Sequence, residues 1–128
     1  MSSQPLPTKL LSKLPPILAE HFDAVNAFDT DRIVDTFAAD AYVNDNFREI
    51  WGAEAIRQFF EKEIVGDHVT MEVREVVDNY GDFIVRASWD GTYDKTNLPE
   101  PLIVSSYFSL RDDKIVSLTV LVNQPSPY

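Results

Sequence analysis

The chain of 128 residues contains no cysteine. That excludes a disulfide, a thiolate nucleophile and any cysteine-ligated metal centre, and it permits a reducing compartment. Glycine is sparse as well. The four glycines are scattered, so neither a phosphate-cradling loop nor a dinucleotide fingerprint can be assembled from them. Basic residues number 11 against 21 acidic ones, a formal net charge of −10. Nucleic acid and anionic membrane are thereby disfavoured as partners, because binding phosphate needs a basic face. No apolar run approaches membrane-spanning length. The opening residues, Met1 to Pro16, lack the continuous apolar stretch of a secretion signal, being interrupted by four prolines. A cytoplasmic protein is the expectation. With two histidines in all, no second inward histidine accompanies the acidic group Asp40, Asp45 and Glu49, so no metal site is expected. No Ser-His-Asp spacing is present either, and no cofactor is expected.

What is present reads as one domain. Residues 1–13 read as a loose arm and 14–128 as a single globular unit, with no repeat or linker to divide it. Pro15-Pro16 suits the first turn of a helix. Leu14, Leu18, His21, Val25 and Phe28 then recur at intervals of four and three, one face of a helix ending near Phe28. Asp29 or Thr30 can cap a short second helix with Ile33, Val34 and Phe37 on its inner side. The period then changes to two. Ala41, Val43 and Asp45 alternate with Tyr42 and Asn44, a short strand. Gly52 opens a third helix, with Ile56, Phe59, Phe60 and Ile64 on its buried stripe.

Beyond Gly66 the pattern is all strand. Val69, Met71 and Val73 share one phase, then Phe83, Val85, Ala87 and Trp89. Leu102, Val104, Ser106, Phe108 and Leu110 follow, and a last strand carries Leu118, Val120 and Val122. Helices first and an antiparallel meander after describe an α+β domain with helices packed on one sheet face. Three polar residues interrupt these inward series: His21, Asp45 and Ser106. Burying each costs roughly 1–3 kcal/mol unless it is satisfied, so their convergence predicts a lined pocket.

The stretch from His21 to Asp29, with Ile33, Val34, Phe37, Ala38 and Asp40 to Asp45 after it, resembles the opening of the SnoaL-like, nuclear-transport-factor-2-like superfamily. Trp51 to Phe60 is similar to that group's third-helix pattern, and Tyr107 to Leu110 with Lys114 to Leu118 resemble its closing strands. The resemblance covers about residues 16 to 123. It implies a cone-shaped α+β barrel of cystatin-like type, three N-terminal helices on a strongly curved, mostly antiparallel sheet, and a homodimer. Within the superfamily the pattern is nearest to the ketosteroid isomerases, which use an aspartate base and an oxyanion hole of one tyrosine and one protonated aspartate. The base position falls on Asp45, the tyrosine position on His21 and the second aspartate position on Ser106. The base is matched and both oxyanion donors are replaced.

The resulting expectation is a cofactor-independent isomerase, cyclase or dehydratase acting on a small apolar carbonyl or polyketide-like compound. Asp45 serves as general base with His21 assisting. Ser106, Trp51, Phe60, Trp89, Phe108 and Val120 are the expected ligand-binding walls. The same residues have plainer readings: Asp45 as a strand-end turn residue, His21 as a satisfied core histidine, and the aromatics as core. Two other functions fit the pattern, a binding protein without turnover and an interaction module. The latter would dimerise through the outer sheet face of Arg86, Ser88, Ser105, Tyr107, Ser109 and Thr119, and a filled interior between His21 and Asp45 would favour it. An epoxide hydrolase of this fold needs inward carboxylates bridged by an inward arginine, whereas Arg86 falls on the outward phase.

Overall fold

The computed structural model describes residues 13–122. The expected N-terminal arm lies outside the described residues apart from Lys13, as do residues 123–128 of the expected domain. Helix α1 spans Pro16–Asn26, with proline at its first position, where a missing N–H costs nothing. Leu18, His21, Phe22 and Val25 form its buried stripe. The stripe does not reach Phe28. Asn26 ends the helix, and its side chain pins that end to the sheet, donating to Met71 O at 3.0 Å and accepting from Met71 N at 2.7 Å. Phe28 turns out with φ of 56° and sets its exposed ring against His68.

Helix α2, Thr30–Asp35, is capped by Asp29, whose carboxylate accepts from Arg32 N at 3.2 Å. Ile33 is its buried contact. Phe37, expected on this helix, instead begins strand β1, Phe37–Asp45, because Thr36 closes the helix by donating to Ile33 O at 2.6 Å. Strand β2, Arg48–Trp51, was not legible. Four residues with one buried member, Ile50, are too few to show a period. It folds back on β1 through Asn46-Phe47, both at positive φ (48° and 73°), the turn that matches strand twist.

Gly52, at φ +85°, makes the bend into helix α3, Gly52–Phe59. The helix then widens into π-type turns over Phe60–Val65, with Gly66 N donating to Glu61 O and Val69 N to Ile64 O five residues back. Four strands complete the chain: β3 Thr70–Asn79, β4 Asp82–Asp90, β5 Leu102–Arg111 and β6 Lys114–Val122.

The six-stranded sheet runs β2-β1-β6-β5-β4-β3. Among the described residues β1 and β6 are its parallel pair, and the other neighbours are antiparallel. Register shifts between Phe37 and Tyr42, Val73 and Glu75, and Ser109 and Leu110 bend the sheet around the helices, as inserted residues do. The core lies in that concavity, built on Leu18, Phe22, Ile56, Phe60, Val104 and Phe108. This is the expected α+β arrangement of helices on a curved, mostly antiparallel sheet. No helix among the described residues is long and apolar enough to cross a membrane.

Candidate functional site

Strand register places the site. Asp45 of β1 stands beside Val120 of β6, Val120 beside Ser106 of β5, and Ser106 beside Val85 of β4. In-register neighbours present side chains to the same face, so the carboxylate and the hydroxyl flank Val120 in one row. The next row is Val43, Leu118, Phe108 and Phe83. Helix α1 lies over these rows and brings His21 to them.

A narrow hollow of about 10 Å³ results. His21, Phe60, Trp89, Ser106, Phe108 and Val120 line it, together with Phe22, Phe59, Ile64, Met71 and Leu118. That volume is on the scale of one water molecule.

His21 is 2% exposed, and its ring meets those of Phe22, Phe37, Phe60 and Phe108 edge to face. Burial pulls its pKa down to about 3, so the imidazole is neutral at pH 7. Its tautomer follows from its neighbours. The single hydroxyl proton of Thr36 goes to Ile33 O, so toward His21 the Thr36 oxygen can only accept, and the 3.1 Å contact assigns the ring proton to Nδ1. Nε2 is left with a lone pair. In this state it accepts a hydrogen bond rather than donating one. Trp89 supplies the opposite character: its Nε1–H is buried and has no acceptor among the described residues.

Asp45 lies outside the lining, at the rim. Its side chain is 23% exposed and accepts from Arg48 Nη2 at 2.9 Å. The same guanidinium donates to Glu63 at 2.7 Å and rests over the Phe59 ring, 5.4 Å from its centroid. Burial raises the Asp45 carboxyl above the ordinary range, while attraction to and hydrogen bonding from Arg48 pull it part of the way back. A carboxylate–arginine–carboxylate chain thus stands at the rim, which the sequence reading missed. Arg48 belongs to the unforeseen strand β2, and its closeness to Asp45 follows from the Asn46-Phe47 turn. Arg86, on the outward phase as expected, pairs with Glu75 instead.

Among the expected walls, Trp51 stands apart from the hollow. It is 65% exposed and stacks on Tyr42 at 4.2 Å, because the β1–β2 register sets it opposite Tyr42, on the outward phase. It lines a separate open cleft of about 310 Å³ with Arg48, Phe59, Lys62 and Glu63. Phe59 borders both spaces. No group of three or more metal-binding side chains occurs among the described residues.

The model of the SnoaL-like domain matches residues 18–118. The chain belongs to that family. No curated protein matches its sequence. Among solved structures, this SnoaL-like domain is similar to a candidate polyketide cyclase of Sinorhizobium meliloti, at 27% identity and TM-score 0.77, covering 86% of this chain and 97% of that one. It is also similar to SalBIII, an epoxide hydrolase/cyclase-like enzyme of pyran ring formation in the polyether salinomycin, at 27% identity and TM-score 0.70 over 84% and 88% of the two chains. A protein of Catenulispora acidiphila with a ketosteroid isomerase-like fold shares the architecture at 16% identity and TM-score 0.70, covering 84% and 85%.

Proposed function

We propose that this SnoaL-like domain is a cofactor-independent enzyme of isomerase, cyclase or dehydratase type, acting on a small apolar carbonyl or polyketide-like compound with Asp45 as general base. One observation carries the reading. A half-buried carboxylate stands in the same cross-strand row as Ser106, one strand beyond Val120, at the edge of an apolar hollow that also contains a neutral histidine. A carboxylate with raised proton affinity suits abstraction beside a carbonyl, and a dry wall strengthens every polar contact made there. His21, neutral and with a free lone pair, assists by accepting a hydrogen bond. The likeness to a candidate polyketide cyclase and to a cyclase-like enzyme supports the substrate class. A cytoplasmic setting, which a sequence without cysteine permits, belongs to the same proposal.

The test needs no identified product. A panel of small apolar ketones is incubated in D₂O, and exchange beside the carbonyl is followed by NMR. Asp45→Asn is expected to lower the exchange rate about 10²–10⁴-fold while leaving ketone affinity nearly unchanged. Exchange undiminished in Asp45→Asn, or lost together with affinity, overturns the role of Asp45.

A second reading rests on the size of the hollow. At about 10 Å³ the interior beside His21 is nearly filled. Under that reading the chain serves as a dimeric interaction module, whereas a binding protein without turnover would use the same pocket as the enzyme. Tyr107 and Thr119, neighbours on the outer face, belong to its contact surface. Sedimentation reports the homodimer that either reading allows, and a monomer at high concentration removes the module.

A further inference from the structure

Besides the Ser106 hydroxyl, which can donate or accept, the hollow holds two polar groups of opposite and fixed hydrogen-bonding character. The indole N–H of Trp89 can only donate, and it is buried without an acceptor among the described residues. His21 Nε2 can only accept, because Thr36 fixes the proton on Nδ1 and burial keeps the ring neutral. A carbonyl or ether oxygen satisfies the first group alone. An ammonium satisfies the second alone and loses its hydration in an aromatic box. A hydroxyl satisfies both, its oxygen accepting from Trp89 while its proton goes to His21. We infer that the hollow between His21 and Trp89 is the recognition site for the hydroxyl of an apolar alcohol, enol or phenol. This rests on reading the hollow as the ligand site of the proposed function, and not on Asp45 being a base.

The dimensions agree with an oxygen rather than a whole molecule. About 10 Å³ is room for one oxygen-sized group, and the body of the ligand must lie behind it. Phe59 is the wall that gives way, since it borders the hollow on one side and the cleft of about 310 Å³ on the other. That cleft reaches the lower end of the range typical of small-molecule sites. With Phe59 turned aside, the hydroxyl end occupies the hollow and the apolar body occupies the cleft, passing the rim where Asp45 and Arg48 stand.

Phenol, anisole and toluene separate the contributions when titrated into the full chain and followed by NMR. Phenol can meet both groups, anisole only Trp89, and toluene neither. Phenol is expected to bind about tenfold more tightly than anisole, with shifts at the Trp89 indole proton and the His21 ring nitrogens. Anisole or toluene binding as tightly as phenol overturns the inference, as does failure of phenol to bind. The ¹⁵N spectrum of the ligand-free chain is expected to show the His21 proton on Nδ1, and a proton on Nε2 overturns it equally. In His21→Phe the preference for phenol over anisole is expected to disappear. Should that variant not fold, the comparison on the unaltered chain still decides. Asp45→Asn is expected to keep the phenol preference, so loss of exchange and loss of hydroxyl recognition are distinguishable failures.

Discussion

Phe59 separates a narrow hollow of about 10 Å³ from an open cleft of about 310 Å³, and the polar groups on its two sides are held by opposite means. Inside, burial decides: His21 is stripped of water, has no carboxylate to pair with among the described residues, and stays neutral. Outside, pairing decides: the Arg48 guanidinium links the Asp45 and Glu63 carboxylates. Asp45 is the boundary case. Burial raises its carboxyl and Arg48 lowers it, so its proton affinity is set by how far it sits from each region. The comparison teaches that one carboxylate can be tuned by a dry wall and a wet arginine together.

Acid is expected to break the inside first. The folded pKa of His21, about 3, lies below its ordinary value of 6.5, so the unfolded chain takes up the proton before the folded one. The stabilisation is complete above pH 6.5 and is lost as pH falls toward about 3, at up to about 1.4 kcal/mol per pH unit and approaching 5 kcal/mol as an upper bound. Urea midpoints between pH 7 and 5, before most carboxylates titrate, are expected to fall steeply in the native chain and to flatten in His21→Phe. Equal slopes remove His21 as the cause. Asp45, whose folded pKa is raised, acts with the opposite sign. Its burial cost is relieved on protonation, so it offsets part of the loss at the acid end.

Truncation sharpens the same contrast. Phe60 is 2% exposed and lines the hollow, so Phe60→Ala is expected to cost about 3–5 kcal/mol, transfer and cavity terms together. Trp51 is the larger aromatic, yet it stacks on Tyr42 in the open, and Trp51→Ala is expected to cost less than about 1 kcal/mol. Denaturant unfolding measures both. Comparable losses would show that the cleft is as much a part of the core as the hollow.

The sequence made the inside readable and left the rim largely dark, for a physical reason. Buried faces impose a period. Leu18, His21 and Val25 every three or four residues, and Leu102, Val104, Ser106 and Phe108 every second, placed helix and strands on one another before any coordinates. A residue interrupting such a series, as His21 and Ser106 do, declares itself by breaking the pattern. The rim has no period to break. Arg48 and Glu63 are polar residues on exposed positions, brought to Asp45 by a two-residue turn and by π-type turns after α3, and neither geometry leaves a repeat in the sequence. Trp51 is expected as a wall because the fold implies a cavity there, and register against Tyr42 turns it outward, beside the cleft and away from the hollow. The end points of elements were misread where a side chain stopped a helix early, Asn26 for the first and Thr36 for the second.

The smallest effect on stability falls at the rim and carries information about Asp45. The guanidinium of Arg48 is half exposed, and its pairs with Asp45 and Glu63 are screened by water, so Arg48→Gln is expected to change stability by less than about 1 kcal/mol. Its effect on Asp45 is a different matter. Arg48 supplies both the attraction and the hydrogen bond that hold that carboxyl down, and Glu63, which pushes it up, remains. The carboxyl of Asp45 therefore rises further in the variant. If Asp45 is the base, the acid limb of the exchange profile moves to higher pH, because protonation now disables it sooner as pH falls. At the plateau above the limb the more basic carboxylate keeps the rate equal or raises it slightly. A profile that stays in place while stability is unchanged separates the arginine from the chemistry and leaves it as surface pairing beside the mouth of the hollow.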